Sequence, residues 1–396
     1  MRNRSFMVVL AAMGVSHLGH ALYQLVVPLW ILQTTGSAGY VGALNAISIA
    51  VRLLVTPVAG TVADRADRRA VMASANLARA LVLAALALAF WRGTNQIGIL
   101  LGAGAALAVA GAFFAPAYAA AQASLVHPQD LTRALSLWQM LRDAITFAGP
   151  SVAGLVVAAI GHAGALAANG ATYLVAAVCV LGVQLRWAPP PPKARRPFWR
   201  DFAGGLALFT GSPVILRTVI LGAGVNLAGS AFAVLLPVIA ARELGLSPVL
   251  YGLVHMINPA GVMLGMFMLT AVAHRIRHRG PFMLRSLLLM GLTNAAMGWA
   301  THPVPFLALL FLGGLFFGLQ NVLLLDLWRR IVPPEKQGRF FGMHTTLNEV
   351  LMPVGYGVTG FLADWISPYA IAGGAGLLVV ALAVWGITGP GLRDVR

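Results

Sequence analysis

The chain alternates between long apolar stretches and shorter polar interruptions. Twelve stretches of about 20 mostly apolar residues follow one another, which is the length that a helix needs to cross a bilayer. A helix in lipid satisfies its own backbone hydrogen bonds, so the pattern predicts an all-α membrane protein with twelve transmembrane helices. The predicted spans, numbered 1 to 12, are 6–32, 40–59, 73–91, 96–117, 134–160, 165–185, 214–240, 250–272, 281–300, 304–325, 340–363 and 369–388.

The Lys and Arg residues fall mainly in alternate gaps between the spans. Twenty of the 27 lie in the gaps on one side, whereas the gaps on the other side hold only Arg92 and Arg242. Because positively charged loops stay in the cytoplasm, we predict a multi-pass protein of the inner (cytoplasmic) membrane with both termini in the cytoplasm. Topology and contact with anionic lipids account for the formal charge of +16, so nucleic acid is not an expected partner.

The overall composition supports a membrane protein over a soluble one. Hydrophobic residues make up 59% of the chain, charged residues only 10%, and the mean hydropathy is +0.83. Cys179 is the single cysteine, which excludes an intrachain disulfide. The first apolar stretch is too long for a cleavable signal peptide, so we expect it to remain as the first helix.

The longest polar interruption divides the chain into two halves. It includes four consecutive prolines, 189–192, which cannot continue a helix. We therefore predict an N-terminal six-helix bundle over 1–185, a cytoplasmic linker over 186–213 and a C-terminal six-helix bundle over 214–396. A short amphipathic helix is also predicted over 198–210.

The two halves resemble each other, which is typical of transporters built from repeats. A shift of 206 positions places Asp143 on Glu349, and a shift of 210 places Arg69 on Arg279. The shift of 206 also places Val126, Pro128, Arg133, Gly149 and Gly154 on Val332, Pro334, Arg339, Gly355 and Gly360.

A long motif lies between spans 2 and 3, from Gly60 to Met72, with the sequence GTVADRADRRAVM. It resembles the signature of the major facilitator superfamily, Gly-x-Leu-Ala-Asp-Arg-x-Gly-Arg-Arg/Lys-x-x-Leu, with Val62, Asp67 and Met72 as departures. The resemblance implies the major facilitator fold, with two pseudo-symmetric six-helix bundles. In the family this loop is a latch that favours the outward-facing state. The matching residues here are Gly60, Asp64, Arg65, Arg68 and Arg69.

The residues of this loop have more than one physical interpretation. Gly60 permits close helix approach, and Asp64 is placed to interact with the positive end of a helix dipole. For Asp64 we favour the latch, since an acid in a basic loop contributes nothing to topology. For Arg68 and Arg69, a latch and a simple cytoplasmic anchor explain the pattern equally well.

Span 5 carries Gly149, Pro150 and Gly154, which resemble the Gly-Pro-x-x-Gly-Gly end of a motif in drug–proton antiporters. A proline kink with small residues for helix packing also explains them. Span 4 lacks the arginine that such antiporters use for proton coupling. Together with Thr35-Gly36-Ser37 and Pro353-x-Gly355, this makes the chain similar to the drug and siderophore exporter branch, which includes the enterobactin exporter and macrolide exporters.

Charged residues inside the spans are costly and are therefore candidates for proton coupling or charge relay. The candidates selected from these charged residues are Arg52, Arg142, Asp143 and Glu349. Low-dielectric surroundings favour a neutral carboxyl, which suits a proton carrier. For Asp143 we favour a structural ion pair with Arg52 or Arg142, and for Glu349 a proton carrier.

Polar and aromatic residues near the middles of spans are the candidates for a substrate cavity. The resemblance implies that the first and fourth helices of each half line that cavity. His17, His20 and Gln24 share one face of span 1, but two histidines are too few for a metal site, so no metal is expected. The full set is His17, His20, Tyr23, Gln24, Phe113, Tyr118, Asn226, His255, Asn258, Gln320, Asn321 and His344. Each is also explained singly as an interhelical hydrogen bond or packing contact.

These features predict a secondary active transporter, most simply a monomeric exporter of small amphipathic molecules of the drug or siderophore type. It would work by alternating access with proton coupling, and its partners would be a small-molecule substrate, protons and membrane lipids. No ATPase motif, cofactor site or catalytic constellation is present, so an enzyme is not expected. The alternatives on the same fold are a lipid or lysophospholipid flippase and a transporter of metal ions or metal chelates.

The predicted topology can be tested with a tag at the carboxyl end. In intact cells the tag should be inaccessible to an impermeant antibody or protease and should become accessible after permeabilisation. Accessibility from outside in intact cells would contradict the charge-based orientation.

Overall fold

The computed structural model describes residues 4–94, 96–183, 209, 212–272, 274, 276 and 278–389. In these ranges the chain forms helices joined by short turns. One long element, Leu131–Leu181, has a non-helical residue at Gly161, and we label its two arms α5 (131–160) and α6 (162–181). The other helices are α1 (Arg4–Thr35), α2 (Ala38–Arg65), α3 (Arg68–Trp91), α4 (Ile97–Leu125), α7 (Pro213–Val238), α8 (Pro248–Val272), α9 (Arg279–Ala296), α10 (Pro303–Ile331), α11 (Pro334–Ala363) and α12 (Pro368–Thr388).

The break between α5 and α6 depends on a glycine. Gly161 has φ 69° and ψ −179°, a conformation that residues with a Cβ rarely adopt. It separates the helices that correspond to predicted spans 5 and 6. With this break, the described residues contain the twelve helices that the sequence predicts, so the predicted fold class is confirmed.

Most of these helices are suited to a membrane by length and composition. Nine described helical elements are long and apolar enough to cross a bilayer, and one of the nine contains both α5 and α6. The two others, α9 and α11, carry charged residues within their length, including Arg285 and Glu349. An apolar pattern therefore marks most spans, whereas α9 and α11 are recognised better by their place in the series.

The chain divides into two compact units. The first unit comprises Met1–Lys193 and Gly245–Leu253, and the second comprises Ala194–Leu244 and Val254–Arg396. The start of α8 thus belongs to the same unit as the first half of the chain, which the sequence does not predict. The predicted linker, 186–213, and the amphipathic helix predicted over 198–210 lie outside the described residues except at 209, 212 and 213.

Each unit has its own apolar core. In the first unit, buried residues of α1, α3, α4 and α6 pack together, among them Phe6, Met72, Phe114, Tyr118 and Val180. In the second unit the core is larger and joins α7, α9, α10, α11 and α12. Its buried members include Leu221, Leu287, Leu323, Trp328, Phe340 and Val379.

Glycines allow α5 and the start of α8 to approach closely within the first unit. A Cβ at Gly154 would meet the carbonyl oxygen of Pro248, and a Cβ at Gly252 would meet that of Pro150. The hydroxyl of Ser151 donates a hydrogen bond of 3.2 Å to the carbonyl of Gly252. The helix-5 motif thus has a packing role here, because only a residue without a side chain fits at Gly154.

This contact predicts a stability difference between two glycines that receive the same substitution. Gly154→Ala should lower the apparent melting temperature of the purified protein, since overpacking against backbone typically costs about 1–3 kcal/mol. Gly102→Ala in α4 is the matched control, because a Cβ there meets nothing within 4 Å. Equal shifts for the two variants in a thermal unfolding assay in detergent would contradict the packing argument.

Candidate functional site

The polar face of α1 carries three of the predicted substrate residues. The Nε2 atoms of His20 and Gln24 lie 3.2 Å apart, and both side chains are exposed. His17 is half-buried, and its ring centroid lies 5.1 Å from that of Trp138 in α5. The α1 polar face (His17, His20 and Gln24) therefore offers hydrogen-bonding groups at one end of an aromatic cluster.

Trp138 links this face to the aromatic residues of α4. Its ring packs edge-on against Tyr118 at 4.9 Å, and Tyr118 stacks on Phe114 at 5.6 Å. Trp138 was not predicted as a site residue. It lies near the end of a predicted span, where a tryptophan is typically an interface anchor, so only the packing of α5 against α1 and α4 identifies it.

The other first-unit residues that were predicted to line the substrate cavity have different surroundings. Tyr118 is buried in the apolar core, and Phe113 packs against that core. The ring of Tyr23 lies nearly parallel to that of His20 with centroids 6.5 Å apart, and its hydroxyl reaches toward α4. A Cβ at Gly104 would lie 3.3 Å from the Tyr23 hydroxyl, which has no hydrogen-bond partner among the described residues.

In the second unit, His344 of α11 is the centre of a polar and aromatic group. Its ring lies 4.2 Å from that of Trp328, edge-on, and its Nε2 lies 3.0 Å from Nδ2 of Asn348. The indole of Trp328 donates a buried hydrogen bond of 2.8 Å to the hydroxyl of Thr218 in α7. His344 is thus held by α7, α10 and α11 together.

The other predicted residues of this unit are not gathered at His344, with one exception. Asn226 donates to the carbonyl of Gly222 at 2.9 Å, and a Cβ at Gly222 would lie 3.5 Å from Nε2 of His344. Asn258 donates to the carbonyl of Leu310 at 3.2 Å, which joins α8 to α10. Gln320 is buried, whereas His255 and Asn321 are half-buried.

The charged residues predicted inside the spans lie in mixed environments. The Nε atom of Arg142 is 3.9 Å from Oδ1 of Asp143, and both side chains are about half exposed. Gln139 also donates to both oxygens of Asp143, at 2.8 and 3.0 Å. An exposed pair of this kind contributes little to stability. Arg52 is exposed and Glu349 is half-buried in α11.

The loop between α2 and α3 is tied to the first unit by its basic residues. Arg68 donates to the carbonyl of Ala120 in α4 at 3.0 Å, and Arg69 to the carbonyl of Leu181 in α6 at 3.4 Å. The carboxylate of Asp67 accepts from the amide of Arg69 at 2.9 Å and so caps α3. Asp64 and Arg65 end α2 and are exposed.

Gly60 makes no close helix contact among the described residues. A Cβ built there would meet nothing within 4 Å. The close approach that Gly60 permits is therefore not seen in this structure.

The second unit contains a link similar to that of Arg68. Arg279, at the start of α9, forms an ion pair with Asp326 of α10, and Arg330 adds a second contact to Asp326 at 3.0 Å. Ala120 and Asp326 are 206 positions apart, the shift that also aligns Asp143 with Glu349. In each unit an arginine therefore links the corresponding pair of helices. Arg68 links α3 to a carbonyl of α4, and Arg279 links α9 to a carboxylate of α10.

Arg79 in α3 is a second residue that the sequence did not single out. Its guanidinium carbon lies 4.9 Å from the ring centroid of Phe114 and 5.1 Å from that of Tyr173. The charge inside span 3 was the available signal, since intramembrane charges are rare. Within the described ranges, no group of three or more His, Cys, Asp or Glu residues is placed to hold a metal ion.

Comparison with known proteins agrees with this architecture. The chain is 22% identical to Macrolide efflux protein A of Streptococcus pyogenes over 405 residues, covering 99% of this chain and 96% of that protein. It is 24% identical to the Multidrug efflux pump Tap of Mycobacterium tuberculosis over 409 residues, covering 100% and 95%.

A solved structure shares the fold. The crystal structure of a bacterial homologue of the iron transporter ferroportin, in an inward-facing state, matches with a TM-score of 0.79 and 16% identity, covering 98% of this chain and 100% of that one. The sequence model of the Major Facilitator Superfamily matches residues 9–279 and 218–394. Those matches extend over most of the twelve helices, and the chain is therefore a membrane transporter of the Major Facilitator Superfamily.

Proposed function

We propose that this transporter is a secondary active exporter of small amphipathic molecules of the drug or siderophore type. The observation that carries the proposal is the similarity, over nearly the whole chain, to two proteins named as efflux proteins. The exporter acts as a monomer in the inner membrane, with both termini in the cytoplasm and membrane lipids around it. Transport proceeds by alternating access and is coupled to protons.

The chemistry of the α1 polar face supports an amphipathic substrate. His20 and Gln24 are exposed hydrogen-bonding groups, and His17 adjoins the rings of Trp138 and Tyr118. Binding sites for small organic molecules combine aromatic walls with a few polar groups that set orientation. In the second unit, His344 beside Trp328 offers the same combination.

For proton coupling we propose Glu349 as the carrier. It is a half-buried carboxylate in the middle of α11, at the position that the repeat aligns with Asp143. Asp143 itself is held by Gln139 and lies near Arg142, which supports a local charge pair rather than a carrier. A carboxylate that changes its protonation state during transport needs surroundings that tolerate both the charged and the neutral form.

Transport in proteoliposomes tests the function and the carrier together. With an imposed pH gradient, the wild type should move a macrolide or an amphipathic dye and show substrate-dependent proton flux. Glu349→Gln should reduce gradient-driven transport to the level of empty vesicles while substrate exchange without a gradient continues. The reason is that a glutamine side chain does not bind or release a proton in this pH range.

The matched control for this variant lies on the same helix. Glu335 is exposed in the first turn of α11, and Glu335→Gln should leave both activities at the wild-type level. Gradient-driven transport that survives Glu349→Gln would remove Glu349 as the carrier. Failure of the wild type with every drug and siderophore substrate would remove the exporter proposal.

For the loop between α2 and α3 we propose the latch role for Gly60, Asp64 and Arg65, with Arg68 and Arg69 fixing the loop to α4 and α6. The last two contacts, to the carbonyls of Ala120 and Leu181, hold the loop in place whatever the charge of Asp64. Cations are favourable at the C-terminal carbonyls of a helix, as Arg69 is at the last residue of α6.

Two aspartates in this loop allow a controlled test of the latch. Asp64→Asn should lower the transport rate severalfold, because it removes the charge on which the latch depends. Asp67→Asn changes the loop charge equally but preserves the helix cap, since asparagine caps as well as aspartate. Equal rates for the two variants in the vesicle assay would contradict a specific role for Asp64.

A further inference from the structure

The first unit contains a half-buried cation, Arg79, for which the proposed transport cycle has no role. Arg79 lies near the middle of α3, about 16 Å along the helix axis from Arg68. Its guanidinium is flanked by the rings of Phe114 in α4 and Tyr173 in α6. Its Nη1 atom lies 3.5 Å from Oδ1 of Asn76, at the limit of a hydrogen bond.

This cation lacks a partner of opposite charge within the described part of the chain, where no carboxylate forms an ion pair with Arg79. The carboxylates in residues 1–193 are Asp64, Asp67, Asp130 and Asp143. The first three lie at helix ends, and Asp143 is bound by Gln139. Contacts with aromatic rings offset only part of the cost of an unpaired charge in low-dielectric surroundings.

Two fully buried amides, one on α3 and one on α6, also have unused hydrogen-bonding groups. Asn76, one turn before Arg79 on α3, is 0% exposed, and Asn169, one turn before Tyr173 on α6, is 1% exposed. The Nδ2 atoms of both, and Oδ1 of Asn169, have no hydrogen-bond partner among the described residues. Buried amide groups in folded proteins are nearly always satisfied, so a partner that accepts from these donors is missing.

Small residues of α1 and α4 face the same polar groups. A Cβ at Gly111 would lie 3.0 Å from Nη2 of Arg79, and a Cβ at Gly19 would lie 2.5 Å from Oδ1 of Asn169. A side chain at Gly111 or Gly19 would therefore press on these polar groups, so α4 and α1 approach them with backbone alone.

We propose that the Arg79 site (Arg79, Asn76 and Asn169) binds one monovalent anion. The guanidinium and the two amides donate hydrogen bonds, and the anion accepts them and neutralises the charge of the half-buried arginine. A water molecule would satisfy the amides but leave the charge unpaired. The anion is either chloride or the carboxylate of a bound substrate. The chloride source is independent of the proposed function, whereas the carboxylate source rests on it.

Thermal unfolding of the purified full-length protein tests the site. The protein is held in sulfate buffer at constant ionic strength and titrated with sodium chloride, sodium acetate or sodium benzoate. The wild type should show a saturable rise in melting temperature with at least one of these anions. Sulfate, which is divalent and larger, should not substitute for them.

Substitutions at Arg79 and at a control arginine test whether the anion binds at the Arg79 site. Arg79→Met should raise the midpoint of the anion titration by about tenfold or more, since it removes a charge-assisted hydrogen bond. Arg217→Met is the matched control, because Arg217 also stacks on a ring, Trp385 at 5.7 Å, in the second unit. Its anion response should equal that of the wild type. Where Arg79→Met does not fold, Arg79→Lys and Asn169→Leu should each weaken the response while Arg217→Met does not.

The outcomes distinguish chloride from a substrate carboxylate as the bound anion. They also distinguish this proposal from the proposed export function. A response to chloride alone identifies a resident ion, a response to acetate or benzoate alone identifies a substrate carboxylate, and a response to both identifies a general monovalent anion site. A wild type with no saturable response, or variants at Arg79 that respond like the wild type, overturns the proposal. The vesicle assay is separate, so transport without an anion response leaves the exporter proposal standing, and an anion response without transport leaves this site standing.

Discussion

Lipid supplies no hydrophobic force to hold helices together, because its chains are as apolar as the side chains they surround. Helices must then associate through close packing and a few polar contacts. In the first unit, Gly154 and Gly252 bring α5 and α8 into backbone contact. In the second unit, Gly261 and Gly265 of α8 pack against the backbone of α10 at Phe311 and Leu315.

Charges are costly in the low-dielectric interior of a membrane, so each charge inside the helices needs a structural or a functional explanation. Arg68 and Arg69 donate hydrogen bonds to helix carbonyls, and Arg279 forms an ion pair with Asp326. These contacts give each of the three arginines a structural role. Arg79 differs because rings and unsatisfied amides surround it, which is why we assign it an anion rather than a purely structural role.

The fold brings some of the predicted substrate residues together and leaves others apart. His17, His20 and Gln24 stay together because their spacing on one helix fixes their direction. Tyr118 of α4 joins this group through Trp138, whose ring contacts both Tyr118 and His17. Asn258 donates a hydrogen bond to the carbonyl of Leu310 and so joins α8 to α10. Spacing along a helix does not show which neighbouring helix a side chain meets.

Apolar length predicts the number of helices, matching residues in the two halves predict the repeat, and the motif from Gly60 to Met72 predicts the family, since these signals lie in the sequence itself and need no partner. The packed helices alone reveal that Trp138 belongs with His17, that Gly60 faces open space while Gly154 does not, and that Arg79 lacks a counter-charge among the described residues. These are properties of contacts between helices far apart in the chain, and such contacts depend on the rotation and depth of each helix in its bundle.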